Sequence, residues 1–287
     1  MKVTKVAKIG GGQDGAIFGT ELFRFNEKGD CTVYRLDGMK EGQVTELCAV
    51  GEFTLDKADI LAPHSNAVCF GTEYYEEGDA YPLLYTNVYN NYAKCEDKLI
   101  GICCVYRLQK TDGVFSSKLV QLIKIGFCED TEMWKASADG HGARPYGNFT
   151  VDRERGQYWA FVMRNTELGT RYFKFDLPKA RDGENDEKYG VPAVTLAKED
   201  IKEYFDTEYH RYVQGAILKD GVVYSTEGFT HSEINRPAMR LVEIETGKAS
   251  YYDITKLGLM LEPEFIDFYG QRCLYSDSHG NLYEIEF

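Results

Sequence analysis

The sequence predicts an all-β fold: a five-bladed β-propeller of four-stranded antiparallel blades, closed by the N-terminal strand. Three observations predict it. The first is a repeat. His64-Ser65-Asn66-Ala67-Val68-Cys69-Phe70-Gly71-Thr72-Glu73 has an earlier counterpart in Gln13-Asp14-Gly15-Ala16-Ile17-Phe18-Gly19-Thr20-Glu21, and Cys31-Thr32-Val33-Tyr34-Arg35-Leu36 recurs as Cys103-Cys104-Val105-Tyr106-Arg107-Leu108. Two matched segments in the same order mark a repeated unit, and a repeated unit of this kind must bury its faces by stacking. The second is that strand signals, rich in aromatic and β-branched residues, come in groups of about four between Gly-rich or acidic turns. The third is that the last group stops one strand short, while Thr4–Ile9 alternates as a strand would just before the first group. A propeller closes when its N-terminal strand completes the last blade.

Taken in order, the first group is Asp14–Gly19, Glu21–Asn26, Asp30–Leu36 and Thr45–Phe53, with Asn26-Glu27-Lys28-Gly29 as a turn. The second is Asn66–Thr72, Pro82–Val88, Ile100–Leu108 and Lys118–Phe127, with insertions at Glu73–Ala80 and Tyr89–Lys98. The third runs Tyr146–Val151, Gln157–Arg164, Arg171–Asp176 and Val191–Leu196, with Lys179–Lys188 as a charged loop. After it, Ile201, Tyr204 and Phe205 share one helical face and predict a short helix over Lys198–Phe205. The fourth is Val213–Leu218, Val222–Glu227, Ala238–Glu243 and Ala249–Ile254; the fifth is Glu264–Phe268, Gln271–Tyr275 and Asn281–Phe287. The blades therefore span about 10–55, 64–128, 146–197, 212–255 and 262–287 plus 3–9, all in one domain over 1–287. Gln13–Glu21 also resembles Lys219–Glu227, a second strand in this scheme; the first-strand reading gives blade one its four strands. Another blade number, or a β-sandwich with coincidental repeats, is the alternative architecture.

Composition bounds the function. The chain of 287 residues is 43% hydrophobic, enough for a large core, and 14% aromatic. A net charge of −13 argues against nucleic acid or an anionic membrane surface as partner, since both need a basic face. No stretch approaches the length of a membrane span and the start carries no apolar signal run, so a soluble, cytoplasmic protein is expected, unless a leader has been removed. The cysteines form no CxxC and no zinc spacing; Cys31, Cys69, Cys103, Cys104 and Cys273 lie in strand-like runs, where thiols behave as small hydrophobes.

The five inner strands open on Asp14, Asn66, Asn148, Gln214 and Glu264, a polar residue each time before an apolar run. Two residues earlier stand Gly12, His64, Tyr146, Tyr212 and Glu262, and the entering loops add His141, Arg144, His210 and Arg211. Inner strands line a propeller's channel, so these residues are expected at one mouth. Hydrogen-bonding groups and rings there suit a small polar ligand, a carbohydrate above all: His64, Asn66, Asn148, Gln214, Arg144 and Arg211 would contact it, and Tyr146 and Tyr212 would stack. Polar channel residues can equally satisfy strand ends and ordered water. Asp14 and Glu264, from neighbouring blades, form the one pair of carboxylates placed for general acid and base work. No cofactor motif and no metal motif is present; a channel cation such as calcium could use Asp14, Glu264 and amide oxygens. Glu21 and Glu73 read as turn chemistry.

This layout resembles the five-bladed glycosidases of the arabinanase and invertase type, and uncharacterised bacterial propeller domains. The resemblance covers nearly the whole chain but rests on blade count and repeat pattern. It implies a glycoside hydrolase using Asp14 and Glu264 as the enzymatic alternative. The chain departs from that pattern at Asn66 and Asn148, amides where those enzymes carry carboxylates, unless Glu73, Asp152 or Glu264 takes the role. A protein-interaction platform, with contacts through Glu73–Ala80 and Tyr89–Lys98, is the third reading.

Overall fold

A computed structural model describes residues 1–88, 101–127 and 148–287. Within them, five antiparallel-cored sheets form the five blades of a propeller. Blade one is Gly15–Phe18, Glu21–Phe25, Asp30–Arg35 and Ala49–Thr54; blade four is Val213–Lys219, Val222–Glu227, Ala238–Glu243 and Ala249–Asp253. Blade five is Pro263–Tyr269, Arg272–Asp277, Asn281–Glu286 and the N-terminal strand Lys2–Lys8. That closing strand pairs antiparallel with the C-terminal one, from Lys2 opposite Glu286 to Lys8 opposite Asn281, with a bulge between Lys5 and Ala7. Ring closure by the N-terminal strand is as the sequence predicts. Thr45–Glu46, expected to begin the last strand of blade one, instead pairs in parallel with Ala7 and Lys8 on the outside of blade five.

Two assignments are corrected. The fourth strand of blade three is Glu203–Thr207, lying antiparallel to Gly169–Asp176, and not Val191–Leu196. Val191–Leu196 crosses to blade two, where it pairs in parallel with Val114–Ile125 and carries Glu184–Asp186 on its far side. The predicted helix over Lys198–Phe205 is only a 3-10 turn at Lys198–Asp200 followed by that strand. Alternation decides the point. Phe205 stacks on Tyr172 with ring centroids 5.2 Å apart and meets Trp159 at 5.8 Å, while Tyr204 points the other way and is exposed.

The repeat has a packing reason. Phe18 and Phe70 hold equivalent ends of inner strands one and two, and their rings meet at 5.6 Å. Phe23, Phe70 and Tyr81 extend that contact, and the Tyr81 hydroxyl donates to Glu21 at 2.6 Å, so Glu21 ties two blades together rather than serving its own turn. Each further seam is filled in the same way: Trp159, Phe161 and Tyr172 face Val213 and Val223 between blades three and four, and Phe265 and Leu274 face Ile17 and Leu22 between five and one. Each fully buried Phe or Leu there is worth about 1.5–3 kcal/mol. The thiols of Cys31, Cys69, Cys103, Cys104 and Cys273 are buried in this core, and burial pushes those of Cys69, Cys104 and Cys273 up to about 12.

The inner strands of blades two and four come within 8 Å of each other across the axis, so the channel is narrow. Gly215 lets blade four also close on blades one and five: a Cβ there would lie 3.0 Å from Asp14 Oδ1 and 3.0 Å from the Glu264 carbonyl oxygen. Any ligand space must therefore lie at a mouth.

Candidate functional site at the channel mouth

Asp14, Asn66, Asn148, Gln214 and Glu264 all stand at the N-terminal ends of inner strands, which places them at one mouth. Gln214 and Glu264 are themselves the extra residues of β-bulges: Val213 and Gly215 face Glu227 and Thr226, and Pro263 and Phe265 face Asp277 and Ser276. In blade one, Gln13 N–H donates to Phe25 O at 2.7 Å while Phe25 N–H donates to Asp14 O at 3.1 Å, so two residues again oppose one. A bulge re-aims the side chain it carries, and bulges gather beside functional sites.

The polar side chains link blade to blade. Gln214 Nε2 donates to Glu262 Oε1 at 2.6 Å, and Gln13 Nε2 reaches Glu264 Oε1 at 3.4 Å. Asp14 Oδ2 accepts from Val68 N–H of blade two at 2.9 Å. On the same principle, Asp267 Oδ2 accepts from Ile17 N–H of blade one at 2.7 Å. An inner strand is an edge strand whose outward N–H groups have no ladder partner, and a carboxylate from the next blade supplies one. Asn87 does the same inside blade two, its Oδ1 accepting from Asn66 N–H and Ala67 N–H, both at 3.1 Å, while its amide donates to the Asn66 side chain.

Several polar atoms are left over. Asp14 Oδ1, Asn148 Oδ1, Glu264 Oε2, and Arg24 Nε and Nη1 are buried without a hydrogen-bond partner among the described residues. Arg24 is the residue that sequence reasoning missed. It is 2% exposed, donates from Nη2 to Gly12 O at 2.8 Å, and feels the charges of Glu264, Asp14 and Asp277. Its signal was in the sequence: a charged residue between Phe23 and Phe25, in a middle strand with both faces in the core. Asp277, also missed, spends its carboxylate on His279 N–H, Asn281 N–H and the Asn281 amide.

Electrostatics separate these groups. Burial raises the Glu264 carboxyl well above its usual range; Glu262 adds to the rise and Arg24 opposes it. Burial also raises Asp14, against hydrogen bonds from Gly15 and Val68 and the pull of Arg24. Glu264 feels the charge of Asp14, and the positive charge beside both is the Arg24 guanidinium. Among the described residues no group of three or more His, Cys, Asp or Glu is gathered to hold a metal ion.

The other expected residues divide. His64 is half-buried, and burial lowers its imidazole. Tyr212 is exposed and packs its ring on Phe229 at 4.5 Å; Arg211 is exposed and donates to Ile234 O at 2.6 Å. His210 is fully buried against Tyr172, with Nδ1 3.4 Å from the hydroxyl, and burial holds it well below its usual value. Tyr146, Arg144 and His141, and the insertion Tyr89–Lys98, lie outside the described residues. Neither Glu73 nor Asp152 joins the site. Each follows the C-terminal end of its inner strand or ends it, at the opposite mouth; Glu73 accepts from Ala180 N–H at 3.2 Å, and Asp152 Oδ1 caps the turn at Glu154 and Arg155.

The fold and mouth together define a five-bladed propeller with a polar channel entrance. No protein-family model matches the chain, and no curated protein does. Among solved structures it is similar to the glutaminyl cyclase of Myxococcus xanthus, at 10% identity and a TM-score of 0.51, over 100% of this chain and 94% of that one. It also matches the hydrazine synthase of Kuenenia stuttgartiensis at 10% identity and TM-score 0.44, over 93% of this chain and 74% of that one. The Dos1 propeller matches at 9% identity and TM-score 0.36, over 95% and 57%. At these identities the likeness is one of fold, and fold does not carry function. No helix among the described residues is long and apolar enough to cross a membrane.

Proposed function

We propose that the mouth bounded by Asp14, Arg24, Asn148, Gln214 and Glu264 binds a small polar ligand of the carbohydrate class. The observation that supports this most directly is a set of buried atoms with no partner among the described residues: Asn148 Oδ1, Glu264 Oε2, Asp14 Oδ1 and Arg24 Nη1. Leaving such an atom unsatisfied costs about 1–3 kcal/mol, so four around one entrance call for an outside partner with both donors and acceptors. A sugar hydroxyl is both. The test is a melting-temperature screen against a sugar and metabolite library. A compound at about 100 times its Kd is expected to stabilise the protein by about 2.7 kcal/mol, and Asn148→Ala is expected to abolish that gain. A library with no hit, or a hit indifferent to Asn148→Ala, would sink the reading.

One observation favours the enzymatic alternative. A buried carboxyl pushed toward its neutral form, with one oxygen lacking a partner among the described residues, as at Glu264, suits donating a proton to a leaving group. Its partner is less suited: Asp14 is also driven toward its neutral form, and one of its oxygens is committed to Val68 N–H. Turnover of aryl glycosides that disappears in Glu264→Gln would establish this route over simple binding.

A further inference from the structure

Away from the axis, the same face carries two adjoining clefts between blades three and four, of about 520 and 460 Å³, which share Thr166, Glu208 and Tyr209 as lining. They are built from the turn after Gln157–Asn165, the segment leaving Glu203–Thr207, and the loop before Ala238–Glu243. In a chain of net charge −13, five arginines line them: Arg164, Arg171, Arg211, Arg236 and Arg240. The lining carboxylates are Glu167, Asp206 and Glu208, and behind the lining Asp253 lies 3.5 Å from Arg236 and Glu227 2.6 Å from Arg240.

The arginines are held in place rather than left loose. Arg240 is buried, bonded to Glu227 at 2.6 Å and Glu208 at 2.8 Å, and its guanidinium lies 4.9 Å from the Tyr251 ring centroid. Arg171 and Arg164 converge on Asp206 at 2.6 and 2.9 Å. Arg164 is 5% exposed and also donates to Leu168 O, yet its Nε has no partner among the described residues. Such a buried, unpaired donor in a cleft wall costs free energy unless a ligand or solvent group meets it.

We propose that this rim groove is a second binding site, separate from the central mouth, for an acidic oligosaccharide whose carboxylates are read by the arginines. A guanidinium fork matches a carboxylate with two parallel hydrogen bonds. Tyr209 and Tyr251 supply ring faces of the kind a sugar's C–H face packs against, and the continuous length of the two clefts suits a ligand of several residues. An acidic peptide is the poorer fit, because among the described residues Leu168 and Ile234 are the only aliphatic side chains lining the clefts.

The probe is trigalacturonate, titrated calorimetrically into the full chain at low salt, with maltotriose and hexaglutamate beside it. Trigalacturonate is expected to bind, more weakly as salt rises, and maltotriose not to bind. Arg236→Ala and Arg211→Ala each weaken binding by about tenfold or more, while Asn148→Ala leaves it unchanged. Both arginines are exposed, so their replacement leaves folding intact, checked by an unchanged melting temperature. No binding at millimolar trigalacturonate, equal binding of maltotriose, affinity indifferent to both arginine variants, or tighter binding of hexaglutamate would each overturn the proposal.

Discussion

At the scale of single residues, two buried carboxylates near the axis, Asp267 and Glu264, do different work. Asp267 gives one oxygen to Ile17 N–H and the other to Phe268 N–H, both at 2.7 Å. It is a backbone cap, and an amide in its place would turn an N–H against an N–H. Asp267→Asn is therefore expected to lower stability by about 1–3 kcal/mol in chemical denaturation. Glu264 has no backbone duty, and its carboxyl is raised chiefly by burial. A folded-state value above the unfolded one favours folding in acid, and that contribution disappears as pH rises through the folded value. Glu264→Gln cannot ionise and escapes the loss. Its melting temperature relative to wild type should climb from about pH 4 to pH 8, by a few degrees, about 2–4 °C for each kcal/mol relieved. A difference that stays flat with pH would show that Glu264 is not held protonated.

At the scale of elements, what the sequence made legible was strand existence and inner-strand order; what it hid was partner choice. The Phe18 and Phe70 equivalence was readable because both residues recur in a fixed frame, and the seam between blades one and two is where they meet. The polar openings of the inner strands were readable for the same reason. Val191–Leu196 was readable as a strand, but alternation says nothing about which sheet edge a strand joins. Pro192 sits just before the stretch that pairs with Val114–Ile125, where a missing N–H costs that ladder nothing, but it does not say which sheet the strand joins. Ile201, Tyr204 and Phe205 are spaced as one helical face, yet a strand puts Tyr204 and Phe205 on opposite faces, and the aromatic seam of Trp159 and Tyr172 accepts only Phe205. Arg24 carried a signal in its place between Phe23 and Phe25, but an isolated charge in a strand reads as solvated until its neighbours on both faces are known. The strand assignment carries its own check: Phe205→Ala should cost about 2–4 kcal/mol, and Tyr204→Ala under about 1, in urea unfolding. Equal costs would favour the helical arrangement.

At the scale of the whole molecule, the ring distributes labour between its two ends. The mouth at the N-terminal ends of the inner strands carries the unpartnered polar atoms and the rim clefts. The opposite face is tied by an insertion, with Arg181 bonded to Glu76 at 2.7 Å. Rigid placement of the mouth depends on the ring being shut, because Glu262 and Glu264 of blade five make their contacts with Gln214 of blade four and Gln13 of blade one. Closure rests on Lys2–Lys8, which covers the free edge of Asn281–Glu286 and is itself covered in part by Thr45–Glu46. Removing residues 1–9 would leave blade five with three strands and a bare edge beside buried Leu282 and Ile285, an arrangement that invites pairing with another chain. The shortened protein is expected to melt at least about 10 °C lower and to self-associate on sizing chromatography. A peptide of residues 1–12 added in trans should restore part of the lost stability by strand addition. If the shortened chain instead stayed monomeric and melted at the wild-type temperature, the N-terminal strand would be decoration on a ring already closed by side-chain packing alone.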